Sequence, residues 1–94
     1  MLPEPQRQQI FEVIEVAGLD RSAFALTDDG ITVRLEHRAS GSRFAFRGDE
    51  TWRFLGYYSV ADGPERTFDR SWMGLIPFMS AWLIELKWHL AEEM

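Results

Sequence analysis

The sequence SWMGLIPFMSAWLIELKWHLAEEM, residues 71–94, decides the fold of this 94-residue chain. It has no charged residue before Glu85, and its apolar residues recur every three to four positions, which predicts one long helix. One broad side of that helix is apolar, as in a helix that covers a core. The core-facing residues are predicted to be Trp72, Leu75, Ile76, Met79, Trp82, Leu83, Leu86 and Leu90.

The opposite side of this helix is also partly apolar. Ala81, Ile84 and Trp88 cluster there beside Glu85, and Ile84 contacts Trp88 because four residues span one helical turn. A helix that is apolar on two sides needs two surfaces to pack on. The first is the predicted sheet, and the second is another subunit or a partner protein. The alternative is that Trp88 is an isolated exposed residue, which is common on protein surfaces.

The sequence also predicts how this helix starts and whether it associates with a membrane. Ser71 or Asp69 is expected to cap it, and Pro77 is expected to kink it or to begin a fresh helix after a short first turn. The uncharged run is shorter than the roughly 20 residues that span a bilayer. The polar side lacks the Lys/Arg enrichment of helices that lie on membranes, so no membrane association is predicted.

The residues before this helix predict a second helix and a sheet. Residues 1–5 are expected to be a loose lead-in, and residues 6–17 a helix that ends at Gly18 with Leu19 closing over it. Strands are predicted over 23–27, 31–38, 43–47 and 52–60, with a bulge at Gly56 and a loop over 61–66. The prediction is a single α+β domain over 1–94. Its two layers are an antiparallel meander of three or four strands and, on one face of it, an N-terminal helix and a long C-terminal helix.

The polar face of the predicted sheet carries an arginine cluster. Arg34, Arg38, Arg43 and Arg47 alternate with inward apolar residues. A turn centred on Ser40-Gly41 would pair Arg34 with Arg47 and Arg38 with Arg43, and like charges directly opposite repel. These arginines form either a solvated face whose stems cover the sheet or a face that binds an acidic protein surface, a phosphate or a nucleic-acid backbone.

Nucleic acid is the weaker form of the second interpretation. The aromatic residues that could stack on bases have inward positions, away from the arginines. The net charge of −5 also opposes attraction to nucleic acid or anionic lipid. The inward aromatic residues are Phe44, Phe46, Trp52 and Phe54.

Composition and motifs give no catalytic, cofactor or metal site. Cysteine is absent, which excludes disulfides and zinc–thiolate clusters and suits the cytoplasm, and the first nine residues have no apolar segment typical of a secretory signal. His37 has an inward position, and His89 follows Glu85 by one turn, with no metal-binding spacing. The carboxylate pairs Asp28-Asp29 and Asp49-Glu50 lie in predicted turns, where capping is their usual role.

Several short landmarks, in order along the chain, resemble a family of small bacterial domains of unknown function. The resemblance implies a helix–meander–helix layout and carries over no activity or functional residue. Ile84 and Trp88 depart from the family pattern, which has polar residues there. The landmarks are Ala17-Gly18-Leu19-Asp20, His37-Arg38 before Ser40-Gly41, Phe44, Phe46, Tyr58-Ser59, Ser71-Trp72, Gly74, Trp82-Leu83 and Leu86-Lys87.

Three functional hypotheses follow. The first is a non-catalytic, cytoplasmic protein-interaction or assembly module that self-associates through Ala81, Ile84 and Trp88, with the arginine face as a second contact surface. The second is a small acidic inhibitor or immunity-type protein that acts on a basic partner. It ranks lower because the carboxylates are dispersed along the chain. The third is an enzyme with an unrecognised site.

Overall fold

The computed structural model describes residues 2–48 and 53–92. Helix α1 (Glu4–Val16) is followed by strands β1 (Phe24–Asp28), β2 (Val33–His37), β3 (Ser42–Gly48), β4 (Arg53–Ser59) and β5 (Arg66–Ser71), and then by helix α2 (Trp72–Glu92). The strands form one antiparallel sheet in chain order. The predicted α+β fold, a meander with a helix at each end, is confirmed, but the sheet has five strands rather than three or four.

Strand β5 is the element that the sequence pattern missed. The prediction ended the loop at Arg66, took Ser71 or Asp69 as the cap of the last helix, and assigned no strand between them. Phe68 is the one buried residue of this strand, so the alternation that marks a half-buried strand rests on a single side chain. The other residues of this edge strand are polar, and charged edges are common because they discourage pairing with another sheet.

One core lies between the inner face of the sheet and the two helices. Trp82 is near its centre, where its ring lies 6.4 Å from that of Phe24 and 5.4 Å from that of Phe44. Its Nε1 donates a hydrogen bond of 3.0 Å to the carbonyl of Ser59, which satisfies the one polar atom of the buried indole. The helix residues in this core are Ile10 and Ile14 of α1 and Leu75, Met79, Trp82, Leu83 and Leu86 of α2.

The predicted end of α1 is confirmed. Gly18 has a φ of 83°, and its N–H bonds to the carbonyl of Glu15 at 2.9 Å while that of Leu19 bonds to Ile14 at 3.2 Å. This pattern closes a helix with a left-handed glycine. Lys87 of α2 adds a bond from its Nζ to the carbonyl of Ala17 at 3.1 Å.

The start of α1 differs from the prediction. The helix begins at Glu4, and Leu2 is buried in the core with its N–H bonded to the carboxylate of Asp28. Residues 2–5 are therefore attached to the fold rather than loose. Prolines at positions 3 and 5 are compatible with this start, because the first helical N–H groups have no partner within the helix.

Helix α2 is continuous from Trp72 to Glu92 with Pro77 inside it, so it does not start afresh at the proline. The oxygen Oγ of Ser71 accepts a long hydrogen bond of 3.4 Å from the N–H of Gly74, in line with its predicted capping role. Pro77 is exposed, on the side of α2 away from the core.

The pairing of β2 with β3 is shifted by two residues from the predicted register. Arg34 lies opposite Ala45, and Glu36 lies opposite Arg43, so the predicted arginine–arginine pairs do not form. A shift of two leaves each side chain on its predicted face, because strand side chains alternate with a period of two.

The β2–β3 turn explains the shift. Its four residues are 38–41, between the last pair His37 and Ser42, with Gly41 at a φ of 76° and its N–H bonded to the carbonyl of His37 at 2.9 Å. Arg38 therefore lies in the turn, where its guanidinium donates to the carbonyl of Ser22 at 3.2 Å.

Gly56 is not the site of a bulge. Strand β4 pairs without interruption with β3 over residues 54–59 and with β5 over residues 53–58. Gly56 lies between Phe46 and Phe68 in its row, and the Phe68 ring covers it. The predicted loop over 48–51 and the predicted strand start at Trp52 fall, except for Gly48, outside the described residues.

Candidate interaction surfaces

The side of α2 that faces away from the core carries an uncharged strip. We call Met73, Pro77, Ala81, Ile84 and Trp88 the outer strip. All five are exposed, and Met73 and Trp88 retain 87% and 69% of their accessible surface. The structure thus places the three predicted interface residues together and adds Met73 and Pro77, which the sequence analysis treated as part of the helix start. Their spacing of four, four, three and four residues is the signal that would have found them.

The surroundings of the outer strip extend it towards α1. A groove of about 380 Å³ between the two helices includes Val13, Ile76 and Ser80 in its lining. Val16, also in that lining, is 86% exposed, so apolar surface continues onto the end of α1. Glu12 of α1 is the one charged residue of the groove.

The margin of the outer strip that faces away from α1 carries opposite charges at its two ends. Phe78, Glu85 and Glu92 are seven residues apart in sequence and so share one side of the helix. The guanidinium carbon of Arg70 lies 4.8 Å from the centre of the Phe78 ring. This margin is therefore basic near the first turns of α2 and acidic near the last.

The outer face of the sheet is covered by neither helix. Arg34, Ala45 and Tyr57 form one row across three strands, and Arg43 and Arg47 lie two residues to either side of Ala45 on β3. We call Arg34, Arg43 and Arg47 the arginine face. Arg38, the fourth predicted member, belongs to the turn instead.

The three members of the arginine face make no ion pair within 4.0 Å in the part of the chain that the structure describes. Other arginines do have carboxylate partners. These pairs are Arg7–Glu4, Arg21–Glu15 and Arg53–Asp69, with N–O distances of 3.9, 3.3 and 2.9 Å.

A shallow depression of about 350 Å³ lies beside the arginine face. Its floor includes Ala45, Leu55 and Tyr57, with Arg47 and Glu65 also in its lining. The sequence analysis did not single out Tyr57 as an outward aromatic residue. The inward position predicted for Phe54 on the same strand would have indicated it, because alternate residues face opposite sides and Tyr57 is three residues further on.

The histidine with an inward position is part of a hydrogen-bonded chain. His37 Nδ1 lies 2.8 Å from the hydroxyl of Ser40, which lies 2.7 Å from that of Ser42, and the N–H of Ala61 donates to Ser42 at 2.8 Å. The N–H of Ser40 also approaches Nδ1 at 3.3 Å, so Nδ1 is the acceptor of the neutral ring.

This chain of hydrogen bonds joins the β2–β3 turn to the loop after β4, which suits a structural role. Burial lowers the pKa of His37, because desolvation disfavours the imidazolium. In the described residues no carboxylate is hydrogen-bonded to the ring, so the group that orients the base in a catalytic Ser–His pair is missing.

The remaining carboxylates of interest are turn caps. The N–H groups of Ser22, Leu2 and Thr32 are the main causes that lower the pKa of Asp20, Asp28 and Asp29 respectively, because these bonds favour the ionised form. A general acid would need a raised pKa. The pair Asp49-Glu50 lies outside the described residues.

Neither grouped metal ligands nor a membrane-spanning helix occurs within residues 2–48 and 53–92. No three His, Cys, Asp or Glu side chains there are grouped to hold a metal ion. Neither helix in this part of the chain combines the length and apolar character needed to cross a bilayer.

Comparisons of the chain with protein-family models, curated proteins and solved structures gave no match. The resemblance to small bacterial domains of unknown function therefore stays a prediction.

Proposed function

We propose that this protein is a non-catalytic assembly module that forms a homodimer through the outer strip of α2. The observation that carries the proposal is an uncharged strip with its two largest side chains, Met73 and Trp88, mostly exposed. Contiguous apolar surface with a polar rim is typical of interaction sites. Exposed aromatic residues of this kind supply most of the binding energy when they become buried.

A second copy of the chain fits the strip because the strip is self-complementary. In an antiparallel pair with the two-fold axis between Ser80 and Ala81, residues whose numbers sum to 161 face each other. Met73 then faces Trp88, and Pro77 faces Ile84. The small residues at the axis allow the helices to approach closely, and methionine sulfur packs favourably on aromatic rings.

The margin charges favour the same arrangement. A two-fold axis perpendicular to the helices brings the acidic end of one margin beside the basic end of the same margin in the second copy. Glu85 and Glu92 of one copy then approach the region of Arg70 in the other. A parallel two-fold pair would place this margin beside the opposite margin of the second helix, so Glu85 and Glu92 would not approach Arg70.

The size of the strip sets the expected affinity. Twenty-one helical residues span about 31 Å and a helix is about 10 Å wide, so α2 offers on the order of 300 Å². Stable interfaces bury roughly 800 Å² per partner. Val16 and the groove beside α1 extend the contact, and we expect a dimer with a dissociation constant on the order of micromolar.

Sedimentation velocity from about 5 to about 500 µM tests the proposal. Wild type should shift from monomer to dimer over this range, whereas Trp88→Glu and Ala81→Arg should remain monomeric. Ile31→Glu is the matched control, because Ile31 is 74% exposed but lies outside α2. A wild type that is monomeric throughout, or an Ile31→Glu variant as monomeric as Trp88→Glu, would contradict the proposal.

The inhibitor and enzyme hypotheses gain no comparable support. Asp20, Asp28 and Asp29 are engaged with backbone N–H groups of their own turns, so they do not form a free acidic face for a basic partner. A cytoplasmic location stays a prediction that rests on the absence of cysteine.

A further inference from the structure

We propose that the outer face of the sheet binds a nucleotide unit, with a phosphate on Arg34 and Arg47 and the base over Leu55 and Tyr57. This inference is independent of the homodimer, because it concerns the opposite side of the molecule.

The arginine face converges on one small residue. Neighbouring strands are about 5 Å apart and alternate residues of a strand about 7 Å apart, so Arg34, Arg43 and Arg47 all start within about 9 Å of Ala45. Ala45 itself is 1% exposed, which shows that longer side chains already cover it. An anion above Ala45 is therefore within reach of more than one guanidinium.

The lack of ion pairs on this face favours an anion. Glu36 is the cross-strand neighbour of Arg43, yet no N–O distance of 4.0 Å or less joins them. Asp29 is close enough to Arg34 to interact with it, and Glu65 lines the depression with Arg47. None of the three arginines makes an ion pair within 4.0 Å in the described residues, so their guanidinium groups are available to an anion. Arginine binds phosphate through paired hydrogen bonds in a fixed plane, so it suits this anion better than lysine would.

The depression beside the arginines indicates that the ligand has a second part, a planar ring. Leu55 and Tyr57 provide an apolar and aromatic floor, with Arg47 and Glu65 also lining the space. Because the Glu65 carboxylate repels a phosphate, we place the phosphate at Arg47. A ligand with one planar ring and one anionic group matches this layout, since bases stack on aromatic side chains.

A free nucleotide and a single-stranded nucleic acid both present this unit. Amide chemical shifts of the ¹⁵N-labelled protein distinguish them when AMP, an oligothymidylate and inorganic phosphate are titrated separately. We expect AMP to give saturable shifts on β3 and β4 with a dissociation constant of roughly 0.1–1 mM. Oligothymidylate binding at least about tenfold tighter, with a steep loss in salt, would assign the site to single strands.

Variants locate the site. Arg34→Gln and Arg47→Gln should each weaken AMP binding about tenfold, as expected when a charge-assisted hydrogen bond is lost. Tyr57→Ser should weaken AMP but leave inorganic phosphate unchanged. Arg66→Gln is the control, since Arg66 is exposed and pairs across the sheet with inward Tyr58.

Three outcomes would overturn the inference. The first is no saturable shift up to about 10 mM of AMP or of the oligonucleotide. The second is inorganic phosphate binding as tightly as AMP, which would mean an anion site without base recognition. The third is a set of shifts unaltered by Arg34→Gln and Arg47→Gln.

Discussion

The substitution Gly56→Ala should destabilise the protein strongly, although alanine is a small residue. Gly56 lies in the middle of β4, between two paired strands. A Cβ at this position would overlap the backbone carbonyl oxygen of Ala45 and lie 2.8 Å from Cζ of Phe68. Phe68 cannot simply move away, because its ring stacks on that of Phe44 at 4.9 Å.

The expected magnitude follows from two opposing terms. Forcing an extra methyl group into a packed site costs about 1–3 kcal/mol, and the upper part applies here because one of the overlapping atoms is backbone. Replacing glycine restricts the unfolded chain and returns about 0.4–1 kcal/mol. The net loss is about 2 kcal/mol. For a domain of this size that corresponds to a fall in Tm of about 8–16 °C.

Urea denaturation followed by circular dichroism measures this loss, at one low protein concentration so that dimerisation contributes equally to each variant. Gly74→Ala is the matched control. A Cβ there meets its nearest atom, Cδ of Arg70, at 3.6 Å, and alanine is the better helix former. Gly74→Ala should therefore stabilise by about 0.5–1 kcal/mol. A Gly56→Ala variant as stable as wild type would refute the close approach of β3, β4 and β5 at this row.

Further predictions concern the buried histidine and the dimer. Burial lowers the pKa of His37 below its ordinary 6.5, so as the pH falls the unfolded chain binds this proton before the folded protein does. The free energy of unfolding should therefore be constant above about pH 6.5 and fall below it. Urea midpoints from pH 8 to 5 should show this fall in His89→Gln but not in His37→Gln. Ser42→Ala should cost about 1–3 kcal/mol in the same assay, since it leaves a loop N–H without its acceptor. The chain has no cysteine, so Ala81→Cys should form a disulfide-linked dimer on oxidation. Ile84→Cys should not, because the two Ile84 positions of an antiparallel pair are about 10 Å apart along the helix axis. The reverse result on a non-reducing gel would exclude the antiparallel pair.

The fold was predictable wherever periodicity repeated over several residues. The core face of α2 is a run of apolar residues over five turns, and β2 alternates strictly from Val33 to His37. In such segments a single misplaced residue does not change which face is buried. Strand β5 shows the limit, because Phe68 is its one buried residue and no second buried residue repeats the alternation.

Register was the part that local pattern did not determine. The sequence Arg38-Ala39-Ser40-Gly41 permits a two-residue turn at Ser40-Gly41 or the longer turn that forms. The longer turn is stabilised by the side chain of His37, whose Nδ1 accepts from the N–H of Ser40 and is hydrogen-bonded to its hydroxyl. A contact between a strand residue and a turn residue depends on the fold around it, so spacing alone does not reveal it.

The candidate surfaces were predictable in part for the same reason. Side-chain alternation assigned Arg34, Arg43 and Arg47 to one face, and the actual shift in register preserves this assignment because it is even. The identity of their neighbours required the coordinates, because the register decides that Arg34 faces Ala45 and not Arg47. In the predicted register the arginines would face and repel each other, whereas in the observed register they surround the small residue Ala45.

The two proposed surfaces follow from an architecture of two layers. Such a fold buries the inner side of its sheet and one side of each helix, and it leaves the outer side of both layers free. The outer side of α1 carries exposed polar residues such as Gln8 and Glu12, as expected of a surface in contact with solvent. Here α2 presents an uncharged strip from Met73 to Trp88, while the sheet presents Arg34, Arg43 and Arg47, which make no ion pair within 4.0 Å in the described chain. Neither composition contributes to the core, so core packing does not account for them, and a contact with another molecule gives each a physical reason.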